Sequence, residues 1–311
     1  MPNDLRADNW DVLIVGESLA DEVVSEGVTT SHPGGSPYNV AVGLGRLHVK
    51  ALLHTAIGHD ERGTLLRTHA ESSGVSITKE SLTADPTSFA RATIDGAGSA
   101  VYDFTVTWRP TPFSLTRAPR ALHIGSISAA LPPGCDLIAG VVSALRATSI
   151  ISLDPNIRPQ LTKDRGKTRW RLEELVRLAD VVKVSDEDLQ WLYPERSLNE
   201  IAADWLARGP DVVVITRGGD GAVAFSRWGT HTATPAETAV VDTIGAGDSF
   251  TAGLLAALLA ESVSVEHGRL ARLRSDQIER AIDFATRCAA ITVGRAGAQP
   301  PWADELALTS P

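Results

Sequence analysis

Thr238-Ala-Val-Val-Asp242-Thr243-Ile244-Gly245-Ala246-Gly247-Asp248-Ser249-Phe250-Thr-Ala-Gly-Leu-Leu-Ala-Ala-Leu-Leu259 decides how the chain is read. A short apolar strand is expected to lead into a glycine-containing turn. The turn opens a helix with almost no polar surface, and such a helix must be buried. Its leading end presents unpaired N–H groups and the positive end of the helix dipole. Gly245 and Gly247 let an anion come close to the backbone. A phosphoryl group in transfer needs such a preorganised set of donors. Asp248 sits in the same turn and could take a proton from an attacking hydroxyl. The bland alternative is a carboxylate that caps the helix. No other charge follows until Glu261, and an idle buried carboxylate is costly, which favours the first reading.

Upstream, short apolar runs alternate with helical patterns. Val12–Val15, Ala121–Gly125, Ser149–Leu153, Asp180–Val184 and Val212–Thr216 read as buried strands. Residues 38–47, 61–72, 136–145, 168–178 and 199–208 read as helices between them. The pattern predicts an α/β fold, a mostly parallel sheet covered on both faces. Two stretches break it, about 18–31 and 86–108. In the second, β-rich runs flank Asp95-Gly96, a hairpin signal. Without intervening helices these strands should form a small antiparallel sheet beside the main one, either a lid over a substrate cleft or an edge hairpin without a function. No repeat or linker divides the chain, so residues 1–311 are expected to form a single domain.

Composition narrows the function. The chain has 311 residues, is 43% hydrophobic and carries a formal net charge of −9. This acidity argues against nucleic acid and anionic membrane as partners. No apolar stretch is long enough to span a bilayer, and no signal peptide is visible. Cys135 and Cys288 have no metal-binding spacing, which suits free thiols in the cytoplasm. There is no G-x-x-x-x-G-K-[ST], so the chain is not a P-loop enzyme. The first strand ends in Gly16-Glu17-Ser18, without the dinucleotide fingerprint, which weakens a Rossmann oxidoreductase reading.

A second glycine-rich element is Pro33-Gly34-Gly35-Ser36-Pro37-Tyr38-Asn39-Val40. Ser36 suits an N-cap and Pro37 the first helical position. Asn39 lies in the first turn, and Gly34-Gly35 bares backbone donors.

These two elements, in this order, resemble the PfkB carbohydrate kinase family and its ribokinase-like fold. The first family motif looks like Gly34 to Leu47, the second like Asp242 to Phe250, and the resemblance runs from Val12 to about Trp302. It implies an ATP-dependent phosphotransferase in which Asp248 is the base and Gly245, Ala246 and Gly247 form the anion hole. Asp21, in Gly16-Glu-Ser-Leu-Ala-Asp21, matches the early aspartate that binds sugar hydroxyls, with Gly34, Gly35 and Asn39 in the same site. Asp154-Pro-Asn-Ile-Arg158 looks like the D-x-N-x-R motif of the fructokinase and 2-keto-3-deoxygluconate kinase branch, which makes Arg158 a substrate or phosphate contact.

For the nucleotide, the loop Thr216-Arg-Gly218-Gly219-Asp-Gly221 resembles the one that wraps ATP phosphates. Ser185 and Asp188 stand where the family has N-x-x-E, and the resemblance gives Asp188 a role in ordering water around Mg²⁺. A monovalent cation, K⁺, is implied beside the anion hole, held by Asp242 and the carbonyls of Ile244, Thr292, Arg295 and Gly297. Fructose is the leading substrate, ahead of 2-keto-3-deoxygluconate, ribose and a nucleoside. Arg91 and Arg109 are candidates for a keto acid's carboxylate. A non-catalytic sugar-binding regulator would have no need of the Gly-Ala-Gly-Asp turn. An exposed lid edge could pair two copies into a homodimer.

Overall fold

The computed structural model describes residues 9–25, 27–94, 100–235, 238–261, 264–266, 269–271 and 273–307. The strands are β1 (Val12–Val15), β2 (Leu19–Ser25), β3 (Val28–Gly34), β4 (Ala51–His54), β5 (Ser76–Ile77), β6 (Phe89–Ile94), β7 (Ala100–Thr105), β8 (Ala121–Gly125), β9 (Ile150–Asp154), β10 (Val181–Ser185), β11 (Val212–Thr216), β12 (Ala222–Ser226) and β13 (Gly229–Ala233). A short hairpin pairs β14 (Ser264–Glu266) with β15 (Arg269–Ala271). The helices are α1 (Ser36–Arg46), α2 (Glu61–Ser72), α3 (Gly134–Leu145), α4 (Arg165–Val176), α5 (Asp186–Leu192), α6 (Leu198–Arg208), α7 (Ala246–Ala260), α8 (Ser275–Val293) and α9 (Ala303–Ala307).

The main sheet has the order β13-β12-β11-β10-β9-β8-β1-β4-β5. It is parallel from β5 to β11 and antiparallel at β12 and β13. Alternation along each strand splits the core in two. Val12 and Ile14 face α1, α7 and α8, whereas Leu13 and Val15 face α3, α4 and α6. All five strands expected from apolar runs are present, as are the five expected helices, with ends shifted by up to three residues. The strand expected just before α7 is not formed. Val240 and Val241 lie exposed, and the segment is pinned by the Val241 N–H donating to the Val293 carbonyl at 2.8 Å.

The separate sheet has the order β3-β2-β6-β7 and stands beside the main one. It is mixed, not antiparallel throughout, because β2 pairs with β6 in parallel. The chain re-enters this sheet after α1, β4 and α2 and leaves the body in the same direction as β2 did. The Asp95-Gly96 turn lies outside the described residues; the flanking β6 and β7 pair antiparallel.

Small residues set the position of α7. A Cβ on Gly253 would lie 2.9 Å from the Ala285 Cα, and one on Gly43 would lie 2.7 Å from the Ala252 Cβ. The helix is therefore clamped between α8 and α1 at backbone distance. The lid is tied to the body differently. Buried Glu22 on β2 accepts from Arg62 on α2 at 2.6 Å and from Arg91 on β6 at 2.8 Å. Both guanidinium groups lie over the Phe89 ring, at 4.3 and 4.8 Å. Cys135 and Cys288 are free and buried. Among the described residues, no helix is long and apolar enough to cross a membrane.

Arg62 is the body's half of this tie, so Arg62→Ala should loosen the lid alone. Hydrogen exchange should accelerate severalfold in β2 and β6 with the central strands unchanged. Equal protection of β2 and β6 in both proteins would exclude Arg62 as the tie.

Candidate active site

Strand ends and helix starts converge at the carboxyl edge of the parallel sheet, where open α/β sheets place their ligands. Gly245 caps α7 with φ 76°, and a Cβ there would meet the Ala298 Cβ at 2.6 Å. Glycine is required on both counts. The Ala246 N–H turns back to the Thr243 carbonyl at 3.3 Å. The N–H groups of Gly247 and Asp248 have no acceptor among the described residues. Of the expected Gly245, Ala246 and Gly247, the Gly245 N–H likewise has no acceptor among the described residues, whereas Ala246 has its donor spent within the turn; Asp248 adds an open donor that was not expected.

Asp248 is the third residue of α7 and is buried. Its Oδ1 accepts from Ser36 Oγ at 2.6 Å and from Asn156 Nδ2 at 3.2 Å, and its Oδ2 accepts from Asn39 Nδ2 at 2.8 Å. Burial pushes its pKa above the ordinary carboxylate range, against the lowering effect of Ser36 and Asn39. Ser36 was expected to cap α1. Gly35, with φ 102°, holds that position, and Ser36 is the first helical residue with its hydroxyl turned to Asp248. Asn39, expected on the sugar, spends a donor on the same carboxylate.

Asp21 lies on β2, half-buried, with burial pushing its pKa up to about 6. Arg158 and His32 counter the shift, and Asp248 adds to it, so the two carboxylates share one field. Gly34 makes room for Asp21: a Cβ there would sit 2.1 Å from Asp21 Oδ2. Arg158 is exposed and donates to the Asn156 side-chain oxygen at 2.6 Å. Asn156 adopts φ 35°, an unusual conformation for a residue with a side chain, and links Arg158 to Asp248. Buried Glu17, on the β1–β2 connection, accepts from the Ser128 N–H at 3.1 Å, and burial pushes it to about 7.

The expected nucleotide side is the adjacent edge. Gly218 and Gly219 are exposed in a tight turn, and Gly221, with φ 82°, sits under the Ala233 carbonyl. Thr216 ends β11 at the same edge. Ser185 caps α5 by accepting from the Asp188 N–H at 3.0 Å. Asp188 is buried and accepts from the Ile157 N–H at 2.9 Å, which fixes the segment that carries Asn156 and Arg158. Asp242 binds the Ile244 N–H at 3.0 Å and the Gly297 N–H at 2.8 Å, joining the turn before α7 to the chain after α8. Its carboxylate suits a monovalent cation. The Thr292 carbonyl accepts from the Arg295 N–H at 3.1 Å, which leaves it one lone pair. Gly297 offers its carbonyl to the Gln299 N–H at 2.8 Å. Ile244 is exposed, and the Arg295 side chain is paired with Glu305.

Four participants were not singled out in the sequence: Asn156, Asp154, Lys183 and Glu17. Asn156 and Asp154 stand inside a motif from which only the arginine was chosen. Lys183 carries the one signal that could have exposed it, a charge inside the apolar run Val181-Val-Lys-Val184.

Gly245→Ala should destabilise the protein by about 1–3 kcal/mol, from backbone strain at a positive φ together with the contact on Ala298. Thermal melting checks this, and an unchanged midpoint would mean that the turn relaxes without cost.

The description "pfkB family carbohydrate kinase" matches residues 8–305. The fructokinase of Rhizobium leguminosarum bv. trifolii is 33% identical over 265 residues, which cover 81% of each chain. The Escherichia coli fructokinase is 31% identical over 302 residues, 92% of this chain and 94% of its own. Among solved structures, a fructokinase double mutant from Vibrio cholerae O395, bound to fructose, ADP and potassium ion, superposes with a TM-score of 0.78 at 25% identity, covering 97% of this chain and 99% of that one. The aminoimidazole riboside kinase of Salmonella enterica, with aminoimidazole riboside and an ATP analogue, gives 0.78 at 25% identity over 96% and 99%. With both motifs placed on one sheet edge and the match running almost end to end, the chain belongs to the pfkB family of carbohydrate kinases.

Proposed function

We propose that the chain transfers the γ-phosphoryl group of ATP to a primary hydroxyl of fructose. The observation that carries this reading is the Asp248 carboxylate, which lies in the first turn of α7 beside two unspent backbone donors and in electrostatic reach of Asp21. The sugar would sit between the lid and the sheet edge, with Asp21 accepting from its hydroxyls. The hydroxyl oxygen forms its bond to phosphorus as the bond from phosphorus to the ADP oxygen breaks, and the hydroxyl proton passes to Asp248. Phosphoryl transfer has a loose transition state, so that proton moves late. The Gly247 and Asp248 amides stabilise the charge on the transferring group. Ser36, Asn39 and Asn156 hold the base still while the lid excludes water.

Mg²⁺, when bound, would neutralise phosphate charge. Asp188 is the acidic side chain at this edge that suits it, through water, since one of its oxygens is already held by Ile157. Asp242 would hold K⁺. A kinase that spends ATP works where ATP is made, so a cytoplasmic location is proposed. Val23 and Val28 are exposed on the lid, which supports a second copy of the chain pairing there.

The names of the relatives favour fructose, and one contact weakens the keto-acid alternative. Arg91, a candidate for a substrate carboxylate, is committed to Glu22. A coupled ADP-release assay should find turnover highest with fructose among fructose, ribose, 2-keto-3-deoxygluconate, tagatose and adenosine, with K⁺ raising the rate. Preference for another sugar would overturn the fructose assignment. Asp248→Asn should cut kcat by about 10²–10⁴ while calorimetry shows sugar affinity little changed. Near-normal turnover in that variant would remove Asp248 as the base.

Asp21 adds a pH dependence. Its folded-state pKa is about 6, and the ionised form accepts sugar hydroxyls. KM for the sugar should therefore rise as pH falls through that value. Asp21→Asn should raise KM and abolish this dependence; a variant that keeps the wild-type limb would assign it to another group.

A further inference from the structure

We infer that Lys183 is a catalytic residue, its ammonium forming the second half of the anion pocket at the head of α7, and that Asp154 positions it there. The inference rests on the kinase reading above and adds a side chain to it.

Lys183 stands in the middle of β10, flanked by Val182 and Val184, which pack into the opposite half of the core. Alternation along the strand turns its side chain toward α7. Only 6% of that side chain is exposed, and its Nζ lies 3.0 Å from Asp154 Oδ2. Asp154 ends β9 and is fully buried. The same Oδ2 accepts from Thr251 Oγ at 3.2 Å, one turn into α7, while the Asp154 Oδ1 has no hydrogen-bond partner. The ammonium reaches the helix start itself: a Cβ on Gly247 would lie 2.8 Å from Nζ. Lys183 thus occupies the space that a side chain at position 247 would fill, next to a backbone N–H that has no acceptor.

A packing role does not account for this. A buried ion pair is a poor source of stability, and apolar residues of similar volume would serve as well. The placement also runs against the helix dipole. The head of α7 is its positive end, where an anion is favoured and a cation is not. Of the three hydrogens on Nζ, one goes to Asp154, and no other acceptor is found among the described residues. A cation held at the wrong end of a dipole, with donors unspent beside unspent amides, becomes favourable when an anion enters. The transferring phosphoryl group is that anion in the proposed reaction. A compact ammonium also suits a contact against a glycine backbone better than the wide guanidinium fork of arginine. Asp154 acts through Lys183: it offsets the buried charge and fixes Nζ, and Thr251 ties it to α7.

Removing either charge alone strands the other in the core, so the decisive variant removes both. Lys183→Met with Asp154→Asn should fold, with a melting curve close to wild type. Its kcat should fall about a hundredfold, the scale of losing one donor to a developing oxyanion, with little change in sugar KM. Calorimetry supplies a readout independent of turnover. The β,γ-imido analogue of ATP should bind about tenfold more weakly than to wild type, while ADP, which lacks the γ-phosphate, binds as before. A folded double variant with near-wild-type kcat, or one that loses ADP and the analogue equally, would overturn the proposal. Wild-type ADP release with sugars tests the kinase reading separately, because the ratio of analogue to ADP affinity decides the Lys183 contact even without turnover.

Discussion

The carboxylate of Asp248 governs the arrangement of this protein. It is removed from water, and a buried charge is tolerated only where donors replace the lost hydration. Those donors come from two distant parts of the chain: the start of α1 through Ser36 and Asn39, and the loop after β9 through Asn156. Satisfying this one group therefore brings α1, α7 and the central sheet edge into register. Close packing then fixes α7 from behind. Gly43 and Gly253 admit Ala252 and the α8 backbone at distances that any side chain would forbid. A small rotation of α7 would clash on one side or unpair the carboxylate on the other.

Three donors on one base have a chemical consequence. Hydrogen bonds to the charged form lower a carboxylate's pKa, and burial raises it. At Asp248 burial wins, with Asp154 adding to the rise and Lys183 opposing it. The outcome is a better proton acceptor than an exposed aspartate, held in one orientation. Asp21 and Glu17 are raised for the same reason, loss of water at the sheet edge. This edge thus gathers acidic groups, while open backbone donors lie at the head of α7 beside them. The two tendencies are reconciled if the edge holds hydroxyls against its carboxylates and phosphate against its amides.

Much of the architecture was legible because period and burial agree. Val12–Val15 and Val212–Thr216 are continuous apolar runs, and both are central strands. The Gly-Ala-Gly-Asp turn was legible because its residue types are demanded by geometry, φ 76° at Gly245 above all. What failed did so for tertiary reasons. Ser36 has the local chemistry of a cap, but a carboxylate from 212 positions away outcompetes its own helix for the hydroxyl. The apolar run Ala239–Val241 suggests a strand, yet it joins neither sheet, and its Val241 N–H is held by the end of α8 instead. The parallel pairing of β2 with β6 depends on how the chain re-enters the lid, which no local pattern encodes. Lys183 and Asp154 are adjacent only because β9 and β10 are neighbours in the sheet.

The lid shows how one strand serves two purposes. Successive residues of β2 project to opposite faces, so Asp21 and Glu22 cannot share a role. Asp21 lies beside Gly34 and feels Asp248 and Arg158 across the site. Glu22 turns the other way, into the Arg62 and Arg91 guanidinium groups stacked on Phe89. Arg91 belongs to the lid and Arg62 to α2, so only the second contact crosses between the two bodies. Any opening of the lid that withdraws Asp21 from the site must also pull Glu22 from Arg62, because the two acids are neighbours on one backbone. The position of Asp21 at the site and the tie of Glu22 to the body are therefore coupled through the pleat of one strand, with no relay of intermediate side chains.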